Sequence, residues 1–331
     1  MKLLLLALLA AMALSAAVAQ TRPPCLAAHY KIIPLPFHPA RINNSGVVAG
    51  TTEDHELATW SQKDGLRELP LPAGFADAQV SGINQAGEVV GQVTRNDAGV
   101  ERIQAFVYRV GKLTILSEAQ SKAKAINNAG EIAGENSPEG PAVWSSHSLH
   151  GLGGCCGGRA LALNNRGQVV GELNDREARY GAFIWDAASG MRPIEVPNAR
   201  NSTALAINDA GDVLVQSLAP NAVFLREQGK LTHVELSTES ASQPLALNNC
   251  DVIVGEYGAN SEYYHAFVWD RKNGFRDLNK LVDVGSDWNL ESALDINDRG
   301  EIVGTGDYKN NDDTGFLLVP DTEMKTTKDR K

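Results

Sequence analysis

The 331 residues carry 40 acidic against 30 basic side chains, a net charge of −10. That balance argues against nucleic-acid binding, which needs a basic face, and gives no electrostatic pull toward anionic lipid. A chain of this size buries roughly 75% of its unfolded surface and does not need disulfides to fold.

The chain opens MKLLLLALLAAMALSAAVAQ. Lys2 supplies a positive n-region, Leu3 to Leu14 an apolar run too short to span a bilayer, and Ala17-Val18-Ala19 a small-residue cleavage site. The expectation is a signal peptide over 1–19 and an exported chain, periplasmic or extracellular. No later segment is long and apolar enough for a membrane span.

Residues 20–320 read as one repeat domain. Seven copies of one hairpin recur: RINNSGVVAG, GINQAGEVVG, AINNAGEIAG, ALNNRGQVVG, AINDAGDVLV, ALNNCDVIVG and DINDRGEIVG. Their anchors are Asn43, Asn84, Asn127, Asn164, Asn208, Asn248 and Asn297. In each, an apolar residue and Asn end a strand, N-x-G turns the chain, and x-V-V-G opens a second, buried strand. Two copies depart: Asp251 replaces the turn glycine and Val215 the final glycine.

A short aliphatic-aromatic strand follows each copy, such as QAFVY, GAFIW and HAFVW, and then a strand of alternating polarity, such as GLREL or GKLTHVEL. Four strands per unit of about 40 residues predict a β-propeller blade, and seven units a seven-bladed ring. The last unit lacks a fourth strand, and Tyr30-Lys-Ile-Ile-Pro-Leu35 resembles an orphan one. The expected fold is therefore all-β: a seven-bladed propeller of four-stranded antiparallel blades, closed by an N-terminal strand that completes the last blade. Residues 321–331 read as a disordered tail.

The strand His265-Ala-Phe-Val-Trp269, with GAFIW and QAFVY, alternating with the I-N-x-x-G-x-V-V-G hairpin, resembles the HAF-repeat family of extracellular bacterial proteins. The likeness covers roughly residues 29–320, although only one copy has the literal histidine. The resemblance implies an exported propeller-like repeat protein and implies no reaction.

A group repeated once per blade is scaffold before it is catalyst, so the seven Asn read as hairpin braces. Their functional alternative is a ring of amides around the channel that contacts a ligand or ordered water. Function is expected in what does not repeat: the variable loops after each second strand and before each inner strand. These are rich in Asp, Glu, Asn and Tyr. Trp288, Tyr263, Tyr264 and Asp307 are the candidate binding residues, for a glycan or protein ligand.

No catalytic residue, metal or cofactor is assigned. Asp307, Asn310, Asn311, Asp312 and Asp313 are oxygen-rich but miss the calcium-loop spacing. Asp175, Arg176, Glu177 and Arg179 read as a mixed-charge loop, and His147 and His150 lack a third ligand. The reading is a monomeric, non-catalytic binding module; the alternative is a glycan hydrolase or lyase with carboxylates at the channel mouth. Of the four cysteines, Cys25 and Cys250 are expected on the same face and are proposed to pair, while a vicinal Cys155–Cys156 bridge stays open.

Overall fold

A computed structural model describes residues 25–321 except 98, 146–147, 154–156, 176, 178, 238–240, 259–263, 284 and 310. Residues 1–24, with the expected signal peptide, and His147, Cys155, Cys156, Arg176, Tyr263, Asn310 and the stretch beyond Asp321 lie outside the described residues.

The repeat units fold into seven four-stranded antiparallel sheets. Six use consecutive strands: blade 1 (residues 38–69), blade 2 (75–115), blade 3 (121–151), blade 4 (158–193), blade 5 (202–234) and blade 6 (241–277). Blade 7 takes Trp288–Ile296, Ile302–Tyr308 and Asn311–Pro320, and its outer strand is Tyr30–Leu35. Tyr30 pairs with Pro320 and Leu35 with Gly315, so the first described strand seals the last sheet. The seven-bladed ring expected from the repeat is the fold. Among the described residues the only helical element is a single 3-10 turn, Leu278–Lys280.

Each inner strand bulges just before its Asn hairpin, as between Ala123 and Ala125 or Ala160 and Ala162, and those of blades 2 and 7 shift register a second time further back. The bulge brings the inner backbone against the second strand. A Cβ on Gly304 would lie 2.0 Å from Ser292 O, and one on Gly91 would lie 1.8 Å from Gln79 O. This explains the glycine of x-V-V-G. The vacancy above it also holds a ring. Gly91, Gly171, Gly255 and Gly304 face Phe106, Phe183, Phe267 and Phe316, all fully buried. In blade 5 Val215 stands there instead, and the facing Phe224 is only half-buried. The core lies between blades: Leu35, Phe37, Ile42, Val48, Ala58, Val303 and Leu317 pack blade 7 onto blade 1.

The Asn hairpins mark one face of the ring. The connections from second to third strands and between blades mark the other, the loop face. Blades 2 and 7 rise on that side. Blade 2 has strands Phe75–Ile83, Val89–Asp97 and Val100–Arg109. Segments expected as loops here are paired strand: Arg95 faces Arg102 and Tyr308 faces Asn311. Pairing between the two arms of a hairpin needs no apolar alternation, so these polar extensions read as loop in sequence.

Candidate functional site

The seven anchor Asn are buried, at 3–6% exposure, and join the blades into a closed circuit. Asn43 Nδ2 donates to Asn84 O at 3.0 Å, and Asn84 Nδ2 to Asn127 O at 3.2 Å. Asn127 donates to Asn164 O and Asn164 to Asn208 O. Asn248 donates to Asn297 O, and Asn297 closes on Asn43 O at 3.0 Å. The Oδ1 of each braces its own hairpin: Asn127 Oδ1 accepts from Ala129 N and Glu131 N, both at 3.0 Å. These amides are hydrogen-bonded into the scaffold on both sides, and Asn43, Asn127, Asn164, Asn248 and Asn297 still border the axial pocket.

The next residue in each hairpin belongs to a second chain of bonds at the axis, running from Gln85 round to Asn44. Asn128 Oδ1 accepts from Gln85 N, Asn165 Oδ1 from Asn128 N, and Asp209 Oδ1 from Asn165 N. Asn249 lies between two carboxylates, its Nδ2 at 3.2 Å from Asp209 and 2.9 Å from Asp298. These side chains line a polar axial pocket of about 190 Å³.

One link in the first circuit differs. Asn208 Nδ2 donates to the Asp251 carboxylate at 2.9 Å, not to the Asn248 carbonyl. Asp251 holds a positive φ of 59° where the other hairpins have glycine. Asp212, Glu227 and Asp251 bring one oxygen each within 4.8 Å of one another. Arg271 covers Glu227 and reaches Asp251 at 4.0 Å. Burial, then the Asp212 charge, pushes the Asp251 carboxyl above the usual range, against the opposing pull of Arg271.

The channel wall holds charges that the repeat pattern masks. Two residues before the anchor Asn, five blades have Gly or Ala, but blades 1 and 7 have Arg41 and Asp295. Asp295 accepts from Ile42 N at 2.9 Å, across the seam. Burial raises its carboxyl, and Arg41 and two backbone N–H groups oppose that rise. Three residues before the anchor, blade 3 has Lys124 where blades 4 to 7 have Leu161, Leu205, Leu245 and Leu294. Sequence reasoning missed these three. The columns of the aligned repeat held the signal, as charged exceptions in otherwise small or apolar positions.

On the loop face, Trp288 opens the inner strand of blade 7 and does not lie in the preceding loop as expected. It stacks on Tyr308 with ring centroids 4.6 Å apart, and meets Phe316 edge-on at 5.9 Å. Asp307 is also in a strand, paired with Asn289 beside that stack. Tyr264 opens the third strand of blade 6 and pairs with Gly258. An aromatic edge is worth more when strands hold it rigid than on a free loop, because less side-chain freedom is lost on contact. Beside it, burial and the charges of Asp307, Asp313 and Asp312 raise the Glu291 carboxyl.

The Arg179 loop is neutralised internally, with Arg179 at 2.8 Å from Asp175 and 3.1 Å from Glu177. It borders the largest of the loop-face clefts described, about 770 Å³, whose lining includes Tyr180, Met191 and Arg200. Smaller clefts of about 530 Å³ beside Tyr257 and Phe275, and about 280 Å³ beside Asn136, open on the same face. On the hairpin face, a disulfide joins Cys25 to Cys250, with Cα atoms 6.2 Å apart.

Solved propellers share this architecture. Virginiamycin B lyase from Staphylococcus aureus aligns over 88% of this chain and 99% of its own, with a TM-score of 0.54 and 11% identity. The WD40 β-propeller domain of Doa1 aligns over 89% and 97%, at 0.53 and 12%. YCF48 bound to D1 peptide aligns over 88% and 96%, at 0.53 and 11%. At such identities the likeness is one of fold. No curated protein matches the sequence. Residues 154–331 match the family model described as "Protein of unknown function (DUF3466)".

Proposed function

This chain belongs to the DUF3466 family of proteins of unknown function, and from its own geometry we propose that it is an exported binding module that engages a glycan or protein ligand on its loop face. The observation that carries this reading is the contrast between the two faces. On the hairpin face the repeated amides, and the carboxylates Asp209 and Asp298, are engaged by neighbouring blades. Three of the four clefts described open on the other face, together with the rigid Trp288–Tyr308 edge. A stacked aromatic beside carboxylates suits the apolar face and hydroxyls of a sugar ring.

Export rests on the leader pattern, and the HAF-repeat likeness on the alternating H-A-F-x-W and I-N-x-x-G motifs. No helix among the described residues is long and apolar enough to cross a membrane. The glycan hydrolase or lyase reading needs carboxylates from different blades converging in a pocket. Two convergent sets from different blades, Asp209 with Asp298 and Asp212 with Glu227 and Asp251, lie on the hairpin face and are held by Asn249 and Arg271; the loop-face set of Glu291, Asp307, Asp312 and Asp313 comes from blade 7 alone. That favours binding over turnover.

A glycan array on the mature chain, with product analysis of each hit, tests the proposal. Binding without product, weakened roughly tenfold or more by Trp288→Ala, is the expected result. Product formation, or binding indifferent to every loop-face substitution, would overturn it.

A further inference from the structure

At the head of the third strand, one column of the repeat faces the connection that leaves the blade. In blade 1 it holds Glu56, whose Oε2 accepts from Leu71 N at 2.8 Å. In blade 2 it holds Gln104, whose Nε2 donates to Ser117 O at 3.2 Å. The shared register of the second strand, with Gly50 on Ala58, Gly91 on Phe106 and Gly171 on Phe183, puts Gly181 in that column in blade 4. A Cβ built on Gly181 meets nothing within 4 Å, and its φ is not positive. The backbone therefore does not demand glycine there, and the place that a carboxamide fills in blade 2 is empty.

The empty place belongs to the cleft of about 770 Å³, inside the ~300–1,000 Å³ of small-ligand sites. Leu173, Ala182 and Met191 give it an apolar floor, and Glu195 and Arg200 line it too. Glu195 is the counterpart of Ser117, because Ile194 N donates to Ala182 O as Leu116 N does to Ala105 O, both at 2.8 Å. The Glu195 carbonyl, unlike that of Ser117, has no hydrogen bond among the described residues. Blade 3 also has glycine in this column, Gly140, and there too a cleft opens, of about 280 Å³.

The surroundings narrow the ligand. Asp175 and Arg179 neutralise each other, and Glu195 and Arg200 carry opposite charges with no ion pair among the described residues. The described lining is thus neutral overall and gives an anion or a cation no net attraction. The strand edge is taken, since Tyr180 N donates to Asn201 Oδ1 at 3.3 Å and Ala182 N to Ser202 Oγ at 3.0 Å, so an extended peptide cannot add there as a strand. We propose that this cleft binds the acetamido group of an N-acetylhexosamine, with its N–H donating to the Glu195 carbonyl as Gln104 does to Ser117, and its methyl on Leu173 and Met191. The Glu195 and Arg200 side chains then serve the ring hydroxyls. This assignment rests on the loop-face reading and gives it a sugar class. A plain hexose has no methyl for the floor, and a free amino sugar brings a charge that the neutral lining does not balance.

Isothermal titration of the full chain with chitotriose and N-acetylgalactosamine, each against its plain counterpart, cellotriose and galactose, tests this. At least one acetamido sugar is expected to bind about tenfold or more tighter than its counterpart. Gly181→Gln sets the protein's own carboxamide in the cleft, as in blade 2, and should weaken that sugar about tenfold or more, while Gly181→Ala should stay within about threefold. Met191→Ala, which thins the floor, should weaken it severalfold and serves as the second variant if Gly181→Gln does not fold. Failure of both acetamido sugars to bind, equal binding of the plain sugars, or full affinity in Gly181→Gln and Met191→Ala overturns the inference. Glycan binding that depends on Trp288 but not on Gly181 or Met191 would overturn it and leave the loop-face reading standing. Silence toward all four sugars would overturn it and leave that reading to the glycan array.

Discussion

Asn297 donates its side-chain amide to the carbonyl of Asn43 at 3.0 Å, across 254 positions of sequence. The same side chain accepts from Arg299 N and Glu301 N. It holds a hairpin and a ring seam at once.

Replacing it should therefore cost more than a hairpin brace alone. Asn297→Ala leaves buried backbone groups unpaired on both sides of the seam and is expected to lose roughly 2–4 kcal/mol. Urea unfolding measures this. Asn208→Ala should cost less, because its outward bond goes to a carboxylate that Arg271 also reaches.

The glycine column gives a sharper contrast. Gly304→Ala would set a Cβ 2.0 Å from Ser292 O and 2.5 Å from Phe316. The strand must move, so a loss of roughly 3 kcal/mol or more is expected. Val215→Ala, at the copy that already carries a side chain, should fall nearer the ~1 kcal/mol typical of point mutants. Thermal melts of the two variants side by side check the difference.

Asp251 destabilises the ring when charged. Its folded-state pKa is raised by burial and by Asp212, with Glu227 adding and Arg271 and Asn208 opposing. A raised carboxylate pKa contributes stability below the unfolded value and loses it as pH climbs through the folded one. Asp251→Gly restores the turn residue of the other six hairpins. It is expected to stabilise the fold more at pH 7 than near pH 4, as read by melting at both values.

The Cys25–Cys250 disulfide spans a sequence separation of 225 residues. Its reduction should lower stability by roughly 2–4 kcal/mol through the freed chain. Melting with and without reductant, using Cys25→Ser as the control that no longer responds, measures the effect.

The ring was legible because seven Asn hairpins and their partner strands recur in register, and each local signal agrees with the global one. The braces at Asn43 to Asn297 were legible for the same reason, but their outward bonds were not. A donor to the neighbouring blade leaves no mark in a single copy. Trp288 and Asp307 were found as residues and misplaced as loop, since the strand extensions of blade 7 are polar. Lys124 and Asn136 were missed because each looks ordinary alone. Only the fold shows that Lys124 is half-buried and that Asn136 Oδ1 faces no donor.

The seam at blade 7 leaves the two ends of the described chain in contact. Asp321 N donates to His29 O at 2.9 Å, and Lys31 lies 3.4 Å from Asp321. A short linker across that gap would turn the polypeptide into a loop without ends, which could be reopened between any two blades. A circular permutant cut between blades 4 and 5 would keep every sheet intact and make a different pair of blades the terminal ones. Whether any blade serves as a clasp is thus a matter of where the chain is cut, not of how the ring is held.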